Sequence, residues 1–490
     1  MKRQLGAMSI AAMLLCASTA WSQSSGTSSS QPGLSSSSSQ ILFTDSSPGA
    51  SPDSGQNGAG DSSQSGSDNT QTGANGPQDT FTHPEQLPGL DAFSEVVSHT
   101  GLSLNTSVGS QAQRVAYSGY PGYWQNLSSV GAGINLTQIR PGFSVLLGYN
   151  GGLNVTTGGE AYNYTNLNQN AIANITWNFA KRWQMRVKEN YFYSDDPFQP
   201  FFTYLGNPTP NQPNPVTYYP NAVIEQNQAE LDLTYQLSPH DLINFSGVEG
   251  FNRYERQEIT TLYDSVNYSG SAFYQHQFNA RLASGGGYSI GSLDFGHGQS
   301  RAGVQTFEGF ISYVFSSKVQ ASLWIGPELT HTKDIVPVFC NEFGCFIQEF
   351  HMSSWSVAEG GTFDWRLSSL DKFSAQVSRG VSSAGGFLGA AYIYQVTGTY
   401  GRALSRAWNL GAGVQYNRSD SVSMFRSDQY LHSITGTIGV NRKIFNDAWT
   451  INAYYAFIHQ TQNYTGLPAT VGTNGFGFTL RYIWSHPLGG

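Results

Sequence analysis

Charge is what this 490-residue chain has least of. Asp, Glu, Lys and Arg together make up 11% of it, against about 25% in an average soluble protein. A soluble protein of this length needs charge over its wet surface, so the shortage argues for another solvent. The charge that is there leans acidic, with 32 Asp and Glu to 24 Lys and Arg. No basic cluster interrupts it, which excludes nucleic acid as the partner. Long apolar runs are missing as well: after the N-terminus no stretch reaches the roughly 18 residues that a spanning helix needs. Enzyme signatures are absent. The 10 histidines are scattered, with no His-Glu-x-x-His pair, Gly-x-Ser-x-Gly elbow, phosphate-cradling loop or zinc spacing. No catalytic residue, metal or cofactor is therefore expected. His276 and His459 fall on or near strands, but no serine can be assigned to either as the nucleophile of a wall-mounted lipid hydrolase.

Cysteine is scarce too, three in all. Cys16 sits in the opening stretch "MKRQLGAMSIAAMLLCASTAWSQ". Lys2 and Arg3 start it, a short apolar core runs from Leu5 to Cys16, and small residues follow, with Ala20 or Ser22 as the last of the leader. This reads as a secretory signal peptide over 1–22. A lipid-bearing Cys16 would want a small residue before it, and Leu15 stands there. The exported chain keeps Cys340 and Cys345 in "FCNEFGC". A pair this close in an oxidising compartment is expected to close a small disulfide loop, the alternative being two free thiols. Residues 23–92 are mostly Ser, Gly, Gln, Asn, Asp and Pro. They carry too little apolar surface to offset the entropy of ordering, so a disordered linker is expected. Its random-coil reach is roughly 40 Å or more. A tether gripping a periplasmic partner is the functional alternative.

What the chain does have is glycine, 55 residues, and aromatics, 27 Tyr and 29 Phe, a mixture that suits strands and turns. From about residue 100 to the end, stretches of roughly 10–14 residues alternate apolar and polar side chains, the half-buried strand pattern. "VGAGINLTQ" puts Val130, Ala132, Ile134 and Leu136 on one side. "AIANITWNF" does so with Ala171, Ala173, Ile175, Trp177 and Phe179. "QAELDLTYQL" sets Ala229, Leu231, Leu233, Tyr235 and Leu237 against Gln228, Glu230, Asp232, Thr234 and Gln236.

Very short connections recur, among them "IRPG", "AKR", "LSPHD", "FSSK", "LSSLDK", "ALSRA" and "IFNDA". Longer ones fall between them, the largest over 195–223 and over 333–352, which holds the cysteines. Short and long alternate down the chain, so antiparallel neighbours place every tight turn at one end and every long loop at the other. That asymmetry marks an outer-membrane barrel. The predicted fold is all-β: a closed antiparallel transmembrane β-barrel over 93–490. It has about 18 strands, 16 being the lower count, joined by about eight short turns and nine loops. The first strand is predicted near 101–109. Trp183, Trp408 and Trp449 each follow a short turn, where an interfacial aromatic girdle would sit.

The terminal "NGFGFTLRYIWSHPLGG" explains itself in this setting. Phe476, Phe478, Leu480, Tyr482 and Trp484 would face hydrocarbon while Thr479 and Arg481 face the lumen. Within it, "GFGFTLRY" resembles the C-terminal recognition signal of Gram-negative outer-membrane barrels. The resemblance implies that Gly477, Leu480 and Tyr482 form a docking signal for the outer-membrane assembly machinery, although "IWSHPLGG" continues past the aromatic end that such signals have. The strand-and-loop pattern over about 100–490 is similar to porin-like barrels, without matching one named family.

Strict alternation assigns charges of both signs to the lumen: Arg186, Lys188, Arg366, Lys443 and Arg481, with Glu230, Asp232, Glu308, Glu328 and Asp364. Such charges tune solute and ion selectivity, or pair across strands and brace a polar interior. Glu189, Glu249 and Glu359 fall on the lipid side. The connection at 195–223, with Phe198, Phe201, Phe202 and Tyr204, is either a loop folded into the pore or a surface loop, and the many tyrosines either line a sugar track or belong to the girdles. Outer-membrane lipid and the assembly machinery are the implied partners, with room for further copies of the chain. The expected function is passive diffusion of small hydrophilic solutes through the outer membrane. The alternatives are an accessory barrel of a polysaccharide-export or surface-assembly system, and a plugged surface-binding scaffold.

Overall fold

The computed structural model describes residues 100–119, 122–140, 142–158, 164–194, 223–255, 262–341, 344–383, 389–405, 407–423, 429–445, 448–463 and 470–487. The leader over 1–22, the linker over 23–92 and the connection over 195–222 lie outside them. Among the described residues there are eighteen strands. They are β1 (Thr100–Tyr117), β2 (Tyr123–Arg140), β3 (Phe143–Thr157), β4 (Tyr164–Ala180), β5 (Trp183–Ser194), β6 (Val223–Gln236), β7 (Asp241–Glu255), β8 (Ser265–Asn279) and β9 (Leu282–Phe295). A single 3-10 turn at Gly296–Gly298 follows, then β10 (Ser300–Ser316), β11 (Val319–Asn341), β12 (Gly344–Trp365), β13 (Asp371–Ser383) and β14 (Ala390–Ala403). The last four are β15 (Trp408–Ser421), β16 (Tyr430–Ile444), β17 (Trp449–Asn463) and β18 (Thr470–Pro487).

Each strand pairs with the next, and β1 closes on β18 from Gly101 opposite Pro487 to Tyr117 opposite Val471. Among the described residues every strand has a partner on both sides, β12 and β13 meeting only from Glu359 opposite Arg379 to Trp365 opposite Phe373, so along the paired ladders the ring satisfies its own backbone, the condition for standing in lipid. The period-two pattern then sorts side chains. Val108, Val130, Leu153, Leu323, Ile325 and Phe476 are large, apolar and exposed on the outside. Their sequence neighbours Ser107, Ser129, Asn154, Ser322 and Gly475 face in. In a closed barrel this outside is the hydrocarbon-facing wall of an outer-membrane protein. Even the shortest strand, 12 residues in β5, spans the roughly 25 Å apolar band at about 3.3 Å per residue and a tilt of about 40°.

At the short-turn end the aromatics stack as a girdle. Trp183 packs on Tyr235 with centroids 4.4 Å apart, Trp449 on Tyr482 at 4.9 Å, and the Arg442 guanidinium lies 5.0 Å over the Trp408 ring. The turns themselves reuse one device. The connections after β6, β12 and β14 each hold a Leu-Ser pair, and the serine hydroxyl accepts backbone N–H groups two or three residues on. Ser238 takes that of His240, Ser368 those of Leu370 and Asp371, and Ser405 those of Ala407 and Trp408. The side chain thereby stands in for a ladder partner and lets the chain reverse in a few residues.

Three stretches differ from the expectation. The first strand is longer than 101–109, because its alternation persists under polar and small residues as far as Tyr117. The segment over 333–352 is no irregular loop. Strands β11 and β12 continue through it as a paired hairpin, and Cys340 stands opposite Cys345 in register. Each strand of this projection pairs the backbone groups that face its partner, and Pro337, which cannot donate, coincides with a register shift. Past Tyr482 the chain remains strand as far as Pro487, paired with β1.

Candidate functional site

The interior wall is built by the polar half of each alternating pair. Strands β1 to β5 contribute an asparagine-rich face: Asn105 donates to Asn150 at 3.3 Å, Asn135 to Ser103 at 3.3 Å, and Asn170 to Asn190 at 3.1 Å. Next to it, β5 and β6 carry a charge ladder. Arg186 stands opposite Asp232 and Lys188 opposite Glu230. The guanidinium reaches one Asp232 oxygen at 2.6 and 2.9 Å, the Lys188 ammonium reaches Glu230 at 3.0 Å, and Arg186 lies 3.7 Å from Glu230 on the diagonal. Arg186, Lys188 and Glu230 remain partly solvent-accessible, while Asp232 is buried beneath its guanidinium partner. Charges held in register in this way form a fixed pattern of alternating sign along one face of the sheet.

The remaining predicted lumen charges are dispersed. Asp364 accepts from Ser374 at 2.6 Å and Gln320 at 3.2 Å. Lys443 and Arg481 flank Thr450 from the strands on either side, two cations on one row of the inner wall. Glu308 and Glu328 lie on β10 and β11, both nearly buried. Arg366 is exposed and lies beyond the end of β12, in the turn. Alternation does not mark where a strand stops, and the short turn starts at Arg366. Glu189 and Glu359 are on the outer wall, where Asn227 donates to Glu189 at 2.5 Å and Arg379 lies 3.5 Å from Glu359. Glu249 is also outward and exposed. In the terminal strand, Leu480 and Tyr482 face outward, while Gly477 faces inward beneath the Tyr454 ring, with no room for a Cβ.

Two features of the interior were not foreseen. Inward-facing aromatics lie flat over glycines of the adjoining strand: a Cβ on Gly287 would sit 2.2 Å from the Phe273 ring. The glycine run at 285–287 was the available signal. At the long-loop end, moreover, the inner wall is apolar and dry: Val115, Ile224, Phe295, Ile393 and Val471 have no solvent exposure. Leu293, Phe295 and Ala302 pack with Ala390 and Val422 from strands several places around the barrel. Asp334 ties the same two sides, accepting from Ser300 at 2.7 Å and Ser423 at 2.8 Å. The interior is thus polar toward the short turns and, near the long loops, apolar and packed where β9 and β10 meet Ala390 and Val422.

No protein-family model matches the chain, and no curated protein does. Solved structures overlap it loosely. Pseudomonas aeruginosa OpdL is 12% identical, with 79% of this chain and 99% of that one covered and a TM-score of 0.38. Acinetobacter baumannii OccAB4 is 10% identical, covering 79% and 99%, at 0.37. The siderophore receptor PiuA of Acinetobacter baumannii is 9% identical, covering 79% and 82%, at 0.39. Overlaps this loose assign nothing to this chain, whose barrel rests on its own strand pairing.

Proposed function

We propose that the chain is an outer-membrane channel through which small hydrophilic solutes diffuse passively, and that it performs no catalytic step. The observation that carries this reading is the charge ladder of Arg186, Lys188, Glu230 and Asp232, of which all but Asp232 are partly open to water, beside an amide-rich face. A barrel that served only as a scaffold would have no use for a hydrated, field-bearing interior, whereas a channel needs polar groups to replace solute hydration. The apolar packing near the long loops makes that end the narrow one. Leu480 and Tyr482, on the outer face of the closing strand, suit docking to the assembly machinery, and further copies of the chain are compatible with the lipid-facing wall. The test is single-channel recording of the purified, refolded chain in planar bilayers. Stable, small openings are the expected result. Silence both in the full chain and after removal of 195–222 refutes the channel.

A further inference from the structure

Glu308 and Glu328 are 6% and 3% exposed, face the same interior, and lie close enough for the charge of one to bear on the other. Neither is in an ion pair among the described residues. Arg379, on β13 nearby, points to the other side of the wall, where it pairs with Glu359. Two buried carboxylates with no paired cation are costly, and the Arg379 charge bears on Glu328 alone. Glu328 accepts from the Ser356 hydroxyl at 2.7 Å and the Val381 amide at 3.3 Å. Glu308 is worse off, since its Oε1 is buried with no hydrogen-bond partner.

The register brings a row of hydroxyls to the same place. Ser289 stands opposite Thr306, Thr306 opposite Glu328, and Glu328 opposite Ser356. Glu308, opposite Gly287, is the diagonal neighbour of Ser289 on the inner face. Ser289 Oγ and, one pleat above Glu328, Thr330 Oγ1 are fully buried and also lack partners. Orphaned hydroxyls beside an orphaned carboxylate oxygen and a second buried carboxylate are a donor set of hard oxygens suited to a hard cation. The place has a structural use for one as well. The β12–β13 ladder stops at Glu359 opposite Arg379, and the Val381 amide just above turns to the Glu328 carboxylate.

We propose that Glu308 and Glu328 bind a divalent cation, calcium by its oxygen preference, with the Ser289 and Thr306 hydroxyls as further ligands. The bound ion fastens β10 and β11 to the open end of the β12–β13 ladder. This site stands apart from conduction, so a silent barrel would leave it untouched.

The test is calorimetric titration of calcium into the full chain, refolded in detergent and stripped with chelator. One saturable site per barrel is expected, with a calcium-dependent rise in the temperature at which the folded band is lost on semi-native gels. Glu308→Gln should weaken binding roughly tenfold or more, Ser289→Ala less, and the outer-wall Glu359→Gln not at all. Folding of each variant is read from the same gels. Should Glu328→Gln fail to fold, Glu308→Gln and Ser289→Ala still decide the matter. No saturable binding to the wild-type chain, or unchanged binding in Glu308→Gln, overturns the proposal. So does binding of putrescine in place of calcium at the same residues.

Discussion

The Tyr400 hydroxyl donates to the Asp371 carboxylate at 2.7 Å, and Ser368 donates to the same carboxylate at 2.6 Å. The short turn before β13 is thereby fastened to β14. Tyr274 does the same for Asp241 after the turn that begins at Ser238. The two turns share a serine, an aspartate three residues later and a tyrosine on the following strand. Ser368→Ala removes the acceptor for two backbone amides and a donor to Asp371. A loss of about 1 kcal/mol is expected, read as a lower unfolding temperature on semi-native gels. An unchanged temperature would mean that water replaces the hydroxyl without cost.

The charge ladder predicts a selectivity change of known sign. Asp232→Asn leaves the Arg186 guanidinium without its closest partner and adds one net positive charge to the lumen. The reversal potential in a potassium chloride gradient should shift toward anion preference. Arg186→Gln should shift it toward cations. Opposite signs from the two partners are the outcome to look for. A shift of the same sign, or none in either, would place the ladder away from the conduction path.

The packed long-loop end predicts a larger opening when it is thinned. Phe295 has no exposure and joins Ala390 and Val422 across the lumen. Phe295→Ala should raise single-channel conductance and lower heat resistance, since such truncations cost about 3–5 kcal/mol in a packed core. Val422→Ala removes less and should widen the path less. If both variants conduct as the wild type does, the core does not bound the pore.

Contact between Phe273 and Gly287 offers a test by paired substitution. The ring occupies the space of a Cβ at Gly287, so Gly287→Val alone should destabilise the folded barrel. With Phe273→Ala in the same chain the space is free, and part of the loss should return. Non-additivity of this kind is expected only between residues in contact.

How much of this was legible beforehand depends on which physical rule each residue obeys. Alternation is enforced by lipid on one side and water on the other, so the strand pattern could be read by parity, as could the shared face of Arg186, Lys188, Glu230 and Asp232. Arg366 could not, because parity does not say where a strand stops; the turn after Trp365 begins at that residue. The hairpin over 333–352 looked like a loop because its pattern no longer answers to a bilayer. Phe295, Ile393 and Leu431 were invisible for the opposite reason. They are apolar and buried on the polar phase, and only the closure of the ring shows that Phe295 meets Ala390 and Val422 from strands far away in sequence. The Glu308–Glu328 pair was legible as two lumen charges, but not as neighbours without cations.

The lipid-facing wall underlies everything else, and two adjacent residues test it. Leu323 is 59% exposed on the outside of β11, while Ser322 faces in and shares a hydrogen bond of 2.6 Å with Thr362. An arginine at a lipid-facing site near the bilayer midplane costs about 2–4 kcal/mol, and a lumen arginine far less. Leu323→Arg should therefore reduce refolding into lipid vesicles sharply, while Ser322→Arg folds and shifts selectivity toward anions. If the chain were instead a soluble sheet with a wet exterior, the order would reverse: Leu323→Arg would be tolerated in buffer and Ser322→Arg, buried in a core, would not. Folding yields of the two variants in vesicles, compared with the wild type, separate these cases because the positions differ by one residue and by nothing else but the face.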